Sequence, residues 1–155
     1  TKGYSIISNG GFDVSPTLVQ KDKYIKTKRI LNENVSDKIN PILRKIVSTK
    51  EGTAGFANVK GYDIGGKTGT ADIASAGGYS KKKINTFASV FPISNPKFVL
   101  VVMLDQPKAN QEFVYHYRDG RNPYKGNWRN TAGWTTVWTT GQIIEKIGPI
   151  LATKY

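Results

Sequence analysis

The stretch Ile64-Gly65-Gly66-Lys67-Thr68-Gly69-Thr70-Ala71 decides how the rest of this sequence is interpreted. It has the form of a β-strand that carries one cation, two hydroxyls and several glycines. Because side chains alternate along a strand, Thr68 and Thr70 share one face and Lys67 points to the other. Glycines inside a strand let another extended backbone lie close. The stretch predicts a sheet edge that offers hydroxyl donors to an extended ligand with a carboxylate. For Lys-Thr-Gly alone, however, an ordinary glycine-rich strand with an ordinary lysine is the favoured interpretation.

The composition limits the kinds of site that the chain can hold. Its 155 residues are enough for one domain with a real core. The absence of cysteine excludes disulfides and thiolate metal sites. One histidine and 11 acidic residues leave little for a metal cluster, so we expect no cofactor.

The net charge of +12 would attract polyanions of any kind. Lysine outnumbers arginine by 18 to 5, whereas a groove that reads phosphates or bases through paired hydrogen bonds favours arginine. No nucleic-acid signature occurs in the sequence. We therefore expect solvated basic faces and no nucleic-acid partner.

Two segments carry apolar residues at helical spacing. The first predicts a helix over residues 37–50 with Ser36 as its N-cap and Pro41 close enough to the first turn to be tolerated. The second predicts a helix over Thr136–Leu151 that packs on the sheet. The apolar positions are Ile39, Ile42, Leu43, Ile46 and Val47 in the first helix, and Val137, Ile144, Ile147 and Leu151 in the second.

Between these helices the sequence predicts three strands, over residues 62–73, 85–92 and 98–104. The third is a continuous apolar run, which is typical of a strand buried on both faces. Residues 76–83 are glycine- and lysine-rich and are predicted to be a loop. Short turns between the strands favour an antiparallel meander.

Residues 106–134 are polar, aromatic and glycine-rich, and they predict a long surface loop. A loop of this length is often functional. His116 is interpreted as a surface residue and not as a catalyst. Side chains of this loop that are candidates for lining a ligand groove are Tyr115, His116, Tyr117, Arg118 and Trp128.

Lys-Thr-Gly is also one of three elements of the penicilloyl-serine-forming transpeptidases and β-lactamases, with Ser-x-x-Lys and Ser-x-Asn. Its surroundings resemble the transpeptidase domain of class B penicillin-binding proteins, especially the septal peptidoglycan transpeptidases of cell division. The resemblance covers nearly the whole chain. It rests on Asn9-Gly10-Gly11, Pro16-Thr17-Leu18-Val19, residues 47–54, residues 61–71, Gly77-Gly78-Tyr79, Leu104-Asp105-Gln106-Pro107-Lys108 and Thr131-Ala132-Gly133-Trp134.

The resemblance implies an α+β fold: an antiparallel sheet with packed helices, of which about three of five strands are present. It also implies a serine-type D,D-transpeptidase that cross-links cell-wall peptides. Lys67 would supply positive charge and assist proton transfer. The hydroxyls of Thr68 and Thr70 would bind the terminal carboxylate of a peptide or β-lactam. Gly69 would keep the strand bare, and the N–H of Thr70 would be an oxyanion donor.

Two elements of that family are missing. No Ser-x-Asn occurs, and the two Ser-x-x-Lys strings, Ser80–Lys83 and Ser94–Lys97, follow Lys67 in turn-like segments. We reject both serines as nucleophiles, because short motifs often match by chance. Residues 1–155 are therefore expected to be the C-terminal portion of a single transpeptidase domain, without its nucleophile and inactive alone.

The resemblance implies peptidoglycan stem peptides and β-lactam antibiotics as ligands, and divisome membrane proteins as partners of the missing regions. It places the parent protein at the periplasmic face of the bacterial inner membrane, anchored by an N-terminal segment absent here. Apolar surface left bare by the missing part predicts self-association. The alternative is a non-catalytic basic module that binds an anionic polymer, either wall polymer or nucleic acid, through its lysine-rich loops and residues 113–128.

Overall fold

The computed structural model describes residues 1–19, 27–126 and 129–154. It confirms the α+β class with antiparallel pairing. In chain order the elements are α1 (Lys2–Ser8), α2 (Glu33–Ser48), a 3₁₀ turn (Gly55–Ala57), β1 (Gly65–Ser75), β2 (Gly78–Phe91), β3 (Phe98–Asp105), β4 (Val114–Tyr115), β5 (Tyr124–Lys125) and α3 (Thr136–Lys154).

The main sheet has the order β1-β2-β3, and all its neighbours are antiparallel. Gly65 lies opposite Val90 and Thr70 lies opposite Asn85, while Phe91 pairs with Phe98 at the start of β3. The predicted meander is confirmed. Within the described ranges β1 forms one edge of this sheet, which leaves one side of the glycine-rich strand open to a ligand.

Helices cover both faces of the sheet. Because β2 side chains alternate, Phe87 and Phe91 face α3 and pack in one cluster with Val137 and Ile144. Val90 faces the other way and packs with Leu43 of α2. The helix α1 joins this second layer through Tyr4. The sheet is thus buried between α3 on one side and α1 and α2 on the other.

The start of α2 differs from the prediction. Asn32 is the N-cap, and its side chain accepts a hydrogen bond from Asn34 N–H. Ser36, predicted as the cap, lies inside the helix and is buried. Its hydroxyl accepts from Gly10 N–H at 3.0 Å and donates to the Ile7 carbonyl at 2.5 Å. Ser36 therefore fastens α2 to the end of α1.

Pro41 lies in the middle of α2 and not near its first turn. Proline cannot donate to the carbonyl four residues earlier, here that of Asp37. Both residues are exposed, so water can satisfy that carbonyl. This exposure explains why the helix continues through the proline.

The prediction of a loop over residues 76–83 was wrong. Only Ala76 and Gly77 form the turn, and β2 already begins at Gly78. The prediction that β3 is buried on both faces was also wrong, because most of its side chains are half-buried and Met103 is 65% exposed. The predicted C-terminal helix is confirmed and extends to Lys154. None of the helices in the described residues has the length and apolarity needed to cross a membrane.

Candidate active site

A cavity of about 480 Å³ lies beside the first half of β1. Thr68 and Thr70 line it from the strand, and residues of the connection between α2 and β1 form another part of its wall. Its other lining residues are mainly polar, basic or aromatic: Thr49, Lys50, Gly52, Thr53, Gly55, Phe56, Tyr117, Arg121, Arg129, Thr131, Gly133 and Trp134. The two hydroxyls predicted from the sequence therefore face one concave surface.

The Thr68 hydroxyl is held by a residue from outside the strand. Its oxygen lies 3.0 Å from the hydroxyl oxygen of Thr53, and either group can be the donor. Thr53 lies in the connection between α2 and β1, just before the 3₁₀ turn. This contact fixes the Thr68 side chain toward the cavity.

The Thr70 hydroxyl accepts a hydrogen bond from the backbone N–H of Ala132 at 3.0 Å. Ala132 lies just before α3 and is 1% exposed. A hydroxyl has one hydrogen to donate and oxygen lone pairs to accept. Since Ala132 occupies an acceptor position, the hydrogen of Thr70 remains available for an anion in the cavity.

Lys67 is exposed and lies on the opposite face of β1, as predicted from strand alternation. Its ammonium donates to the carbonyl of the neighbouring Thr68 at 2.7 Å. It is not among the residues that line the cavity. The charge therefore lies behind the hydroxyls, at the open edge of the strand.

Gly69 makes room for the neighbouring strand. A Cβ at this position would lie 2.6 Å from the Thr86 hydroxyl oxygen on β2. A side chain at this position would force the Thr86 hydroxyl to move. Whether the missing side chain also admits a ligand backbone stays a prediction.

The cavity rim is basic, and no acidic residue of the described chain lines it. Arg121 donates to both carboxylate oxygens of Asp119, at 3.0 and 2.8 Å, and its guanidinium stacks 4.2 Å from the Tyr117 ring centre. The hydrogen bond from Arg121 lowers the pKa of Asp119, and the same bond raises the pKa of Arg121. This pair stays charged and keeps Tyr117 against the cavity.

The residues of segment 106–134 that were predicted to line a groove do not all lie at the cavity. Tyr117 lines the cavity, but Tyr115 is 8% exposed and belongs to the core. Arg118 donates to the Phe56 carbonyl and to Glu145 of α3, and it borders a smaller cavity of about 70 Å³. His116 is exposed, as predicted, and does not line the cavity. Trp128 lies outside the described residues.

The segment is also not a plain loop, because β4 and β5 pair within it. An aromatic cluster packs against this small hairpin. Tyr115 packs edge-on against Phe113 and Trp134, with ring centres 4.9 and 5.2 Å apart. Through Trp134 this cluster forms part of the cavity wall.

The two Ser-x-x-Lys strings lie away from the cavity. Ser80 is in β2 and donates to the Ile73 carbonyl at 3.0 Å, and Lys83 pairs with Asp72. Ser94 and Lys97 belong to the turn between β2 and β3. Neither serine lies at the start of a helix, which agrees with their rejection as nucleophiles. Among the residues that the structure describes, no group of His, Cys, Asp or Glu is arranged to hold a metal ion.

The sequence does not reveal the contacts of Thr53 and Ala132, although both lie in segments that carry the family resemblance. Thr53 is 15 residues from Thr68, and Ala132 is 62 residues from Thr70. Only the fold brings them together.

Comparison with known proteins identifies the family of this chain. A family model described as the penicillin binding protein transpeptidase domain matches residues 1–141. The chain is 35% identical over 133 residues to a peptidoglycan D,D-transpeptidase FtsI homolog of Mesostigma viride, covering 71% of this chain and 22% of that protein. It is 30% identical over 136 residues to a probable peptidoglycan D,D-transpeptidase FtsI of Caulobacter vibrioides, covering 82% and 21%.

The chain thus spans about a fifth of the length of these relatives. Among solved structures, the transpeptidase domain of penicillin-binding protein 3 from Burkholderia pseudomallei is similar in fold, with a TM-score of 0.70 at 22% identity. That likeness covers 96% of this chain and 40% of the other. It confirms the predicted α+β fold, which matches part of that solved domain.

Proposed function

The chain belongs to the penicillin-binding protein transpeptidase family, and we propose that it supplies the carboxylate-binding half of the active site of a peptidoglycan D,D-transpeptidase. The observation that carries this proposal is the Thr70 hydroxyl. It lines the cavity, accepts from Ala132 N–H and keeps its hydrogen for an anionic ligand. A D-alanyl-D-alanine peptide and a β-lactam both offer such a carboxylate.

Acyl transfer requires a nucleophile, a proton shuttle and oxyanion donors. The serine oxygen attacks the scissile carbonyl, its proton passes to the D-alanine amine, and D-alanine leaves. An acceptor amine then attacks the carbonyl of the acyl-enzyme, forms the new peptide bond, and its proton returns to the serine oxygen. Within this chain, Lys67 would place positive charge near the serine and assist proton transfer. Thr68 and Thr70 would bind the carboxylate, the N–H of Thr70 would be an oxyanion donor, and Gly69 would keep the strand bare.

The serine itself would come from residues outside this chain, in a longer protein whose transpeptidase domain ends with residues 1–155. The absence of Ser-x-Asn and the position of both Ser-x-x-Lys strings support this assignment. A parent protein of this kind would act at the periplasmic face of the inner membrane, held by an N-terminal anchor, with divisome membrane proteins as partners.

Self-association of the chain is a further part of the proposal. Exposed large apolar side chains support it, including Leu18, Ile42, Met103 and Ile150. Strand β3 also forms an edge of the sheet in the described residues, and open edges pair readily with other strands. Sedimentation at increasing concentration tests this, and a clean monomer at high concentration would contradict it.

Labelling with a fluorescent penicillin tests the enzymatic proposal in the full-length protein. Lys67→Ala should reduce labelling by on the order of 10²-fold or more, as loss of a group that stabilises the transition state does, with the circular dichroism spectrum unchanged. Lys81→Ala removes an exposed lysine from the far part of β2 and is the matched control. Unchanged labelling of Lys67→Ala would exclude Lys67 from the mechanism, and an unlabelled wild-type protein would contradict the function.

The alternative function is a basic module for an anionic polymer. Exposed Lys81 and Lys82 on β2 favour it, together with the net charge of +12. Binding that weakens steeply with salt would support this alternative. A protein that binds no polyanion and is labelled by penicillin would exclude this alternative and support the transpeptidase function.

A further inference from the structure

Asn85 lies directly opposite Thr70 on β2 and is completely buried. We propose that Asn85 is a positioning residue: its amide holds the segment before α3 so that Ala132 N–H directs the Thr70 hydroxyl toward an anionic ligand. The inference rests on the proposed function, because it assigns the ligand's carboxylate to Thr70.

The first step is the anchoring of the segment. The Asn85 amide nitrogen donates to the Asn130 carbonyl at 2.5 Å and to the Thr135 hydroxyl at 2.8 Å. Thr135 in turn donates to the Thr131 carbonyl at 3.0 Å. A carbonyl only accepts hydrogen bonds, so the contact with Asn130 fixes which side of the amide faces the segment. Both donors of one buried side chain are thus used at the two ends of residues 130–135.

The second step leads from the segment to the cavity. Ala132 lies between the two anchored residues and donates to the Thr70 hydroxyl. A carboxylate can only accept, so Thr70 must donate to bind it. If Ala132 moves away, the Thr70 hydroxyl loses the partner that sets its orientation and can turn its hydrogen to a nearby carbonyl instead. Asn85 would therefore act on ligand binding without touching the ligand.

The unpaired oxygen of Asn85 supports a role beyond packing. Its Oδ1 has no hydrogen-bond partner among the described residues. An unpaired buried acceptor is destabilising, and an apolar side chain of similar shape avoids that cost. What an amide provides at this position, and an apolar side chain would not, is the pair of hydrogen bonds that it donates to the segment beside the cavity.

Ser89 provides a matched control on the same strand and the same face. It is also fully buried, and its hydroxyl donates to the Leu100 carbonyl at 2.9 Å, inside the sheet. Ser89→Ala removes a buried hydrogen bond without touching residues 130–135. If any lost hydrogen bond in the core weakened ligand binding, both variants should show it. If Asn85 positions residues 130–135, only Asn85→Ala should weaken ligand binding.

The experiment compares acylation of the full-length protein by a penicillin and by its methyl ester, which lacks the anion. In Asn85→Ala the ratio of the rate constant for the penicillin to that for its methyl ester should fall about tenfold. This is the size expected for one weakened hydrogen bond to a charged group. Ser89→Ala should leave the ratio unchanged. Thr135→Val cuts one of the two Asn85 bonds, so it should give a smaller loss, and it replaces Asn85→Ala if that variant does not fold.

A double-mutant cycle completes the test. In a Thr70→Ala background the substitution Asn85→Ala should change the ratio no further, because the hydroxyl that it positions is gone. Hydrogen exchange at the Ala132 amide should accelerate in Asn85→Ala and not in Ser89→Ala. An unchanged ratio, full additivity or an equally protected Ala132 amide would overturn the assignment of Asn85. A wild-type protein that neither ligand acylates would overturn the proposed function itself.

Discussion

The β1–β2 hairpin has two halves that belong to one hydrogen-bonded ladder but differ in burial and in their packing against helices. The inner half pairs residues 65–70 with residues 85–90 and lies between α2 and α3. The outer half, residues 71–84, continues the pairing past an irregularity between Asp72 and Ala74 and is largely exposed. Backbone pairing therefore builds the strands, but helix packing decides which part is core. The cavity lies beside the inner half, where Thr68 and Thr70 line it.

The largest difference between the halves should appear on truncation of an aromatic side chain. Phe87 of the inner half is fully buried, whereas Tyr79 of the outer half is 80% exposed. Phe87→Ala should lower the free energy of unfolding by about 3–5 kcal/mol, through lost burial and a new cavity. Tyr79→Ala should change it by less than about 0.5 kcal/mol. Denaturant unfolding of both variants measures this, and similar losses would refute the division into halves.

Alanine in place of glycine gives a smaller contrast. At Gly66 a Cβ would lie 2.6 Å from both the Ala88 carbonyl oxygen and the Phe87 ring, so the inner half must shift, at about 1–3 kcal/mol. At Gly77 nothing lies within 4 Å, and only its φ of +91° opposes a side chain, at about 1 kcal/mol. Thermal unfolding of the two variants compares them. A more damaging change at Gly77 would mean that the outer turn governs hairpin stability.

The smallest effect concerns the ion pair of the outer half. Lys83 Nζ lies 2.6 Å from Asp72 Oδ1, and the two side chains are 26% and 48% exposed. Solvent screens such a pair, so Asp72→Asn should cost less than about 1 kcal/mol. The loss should shrink further in 1 M salt. A large loss that does not depend on salt would show that the outer half is packed more like the inner half.

Local patterns in the sequence predicted the parts of the fold that depend on local periodicity. Strand alternation placed Thr68 and Thr70 opposite to Lys67, and short turns gave the strand order. The N-cap of α2 was missed because Asn32 and Ser36 are both good caps, and the bonds of Ser36 to residues near Gly10 decide between them. The first part of β2, residues 78–83, was wrongly predicted as a loop because its glycine and lysine residues are not typical of strands, and its pairing with β1 is what makes it a strand.

The candidate site divides in the same way. The shared face of Thr68 and Thr70 was predicted, since both lie in one strand, and the roles of the β1 residues toward a ligand stay predictions. The contacts of Thr53, Ala132 and Asn85 were not predicted, because each reaches β1 from a distant part of the chain. Tyr115 and Arg118 were assigned to the groove on residue type, and packing directs them into the core and toward α3.

The aromatic residues of the cavity wall also provide an intrinsic fluorescent probe of the site. Trp134 lines the cavity and packs against Phe56 and Tyr124, with ring centres 5.3 and 5.2 Å apart. Trp138 does not line the cavity and packs edge-on against Phe113. A ligand entering the cavity would alter the surroundings of the first indole and leave those of the second unchanged. Intrinsic fluorescence would thus report occupancy in real time, without a dye and before any covalent bond has formed.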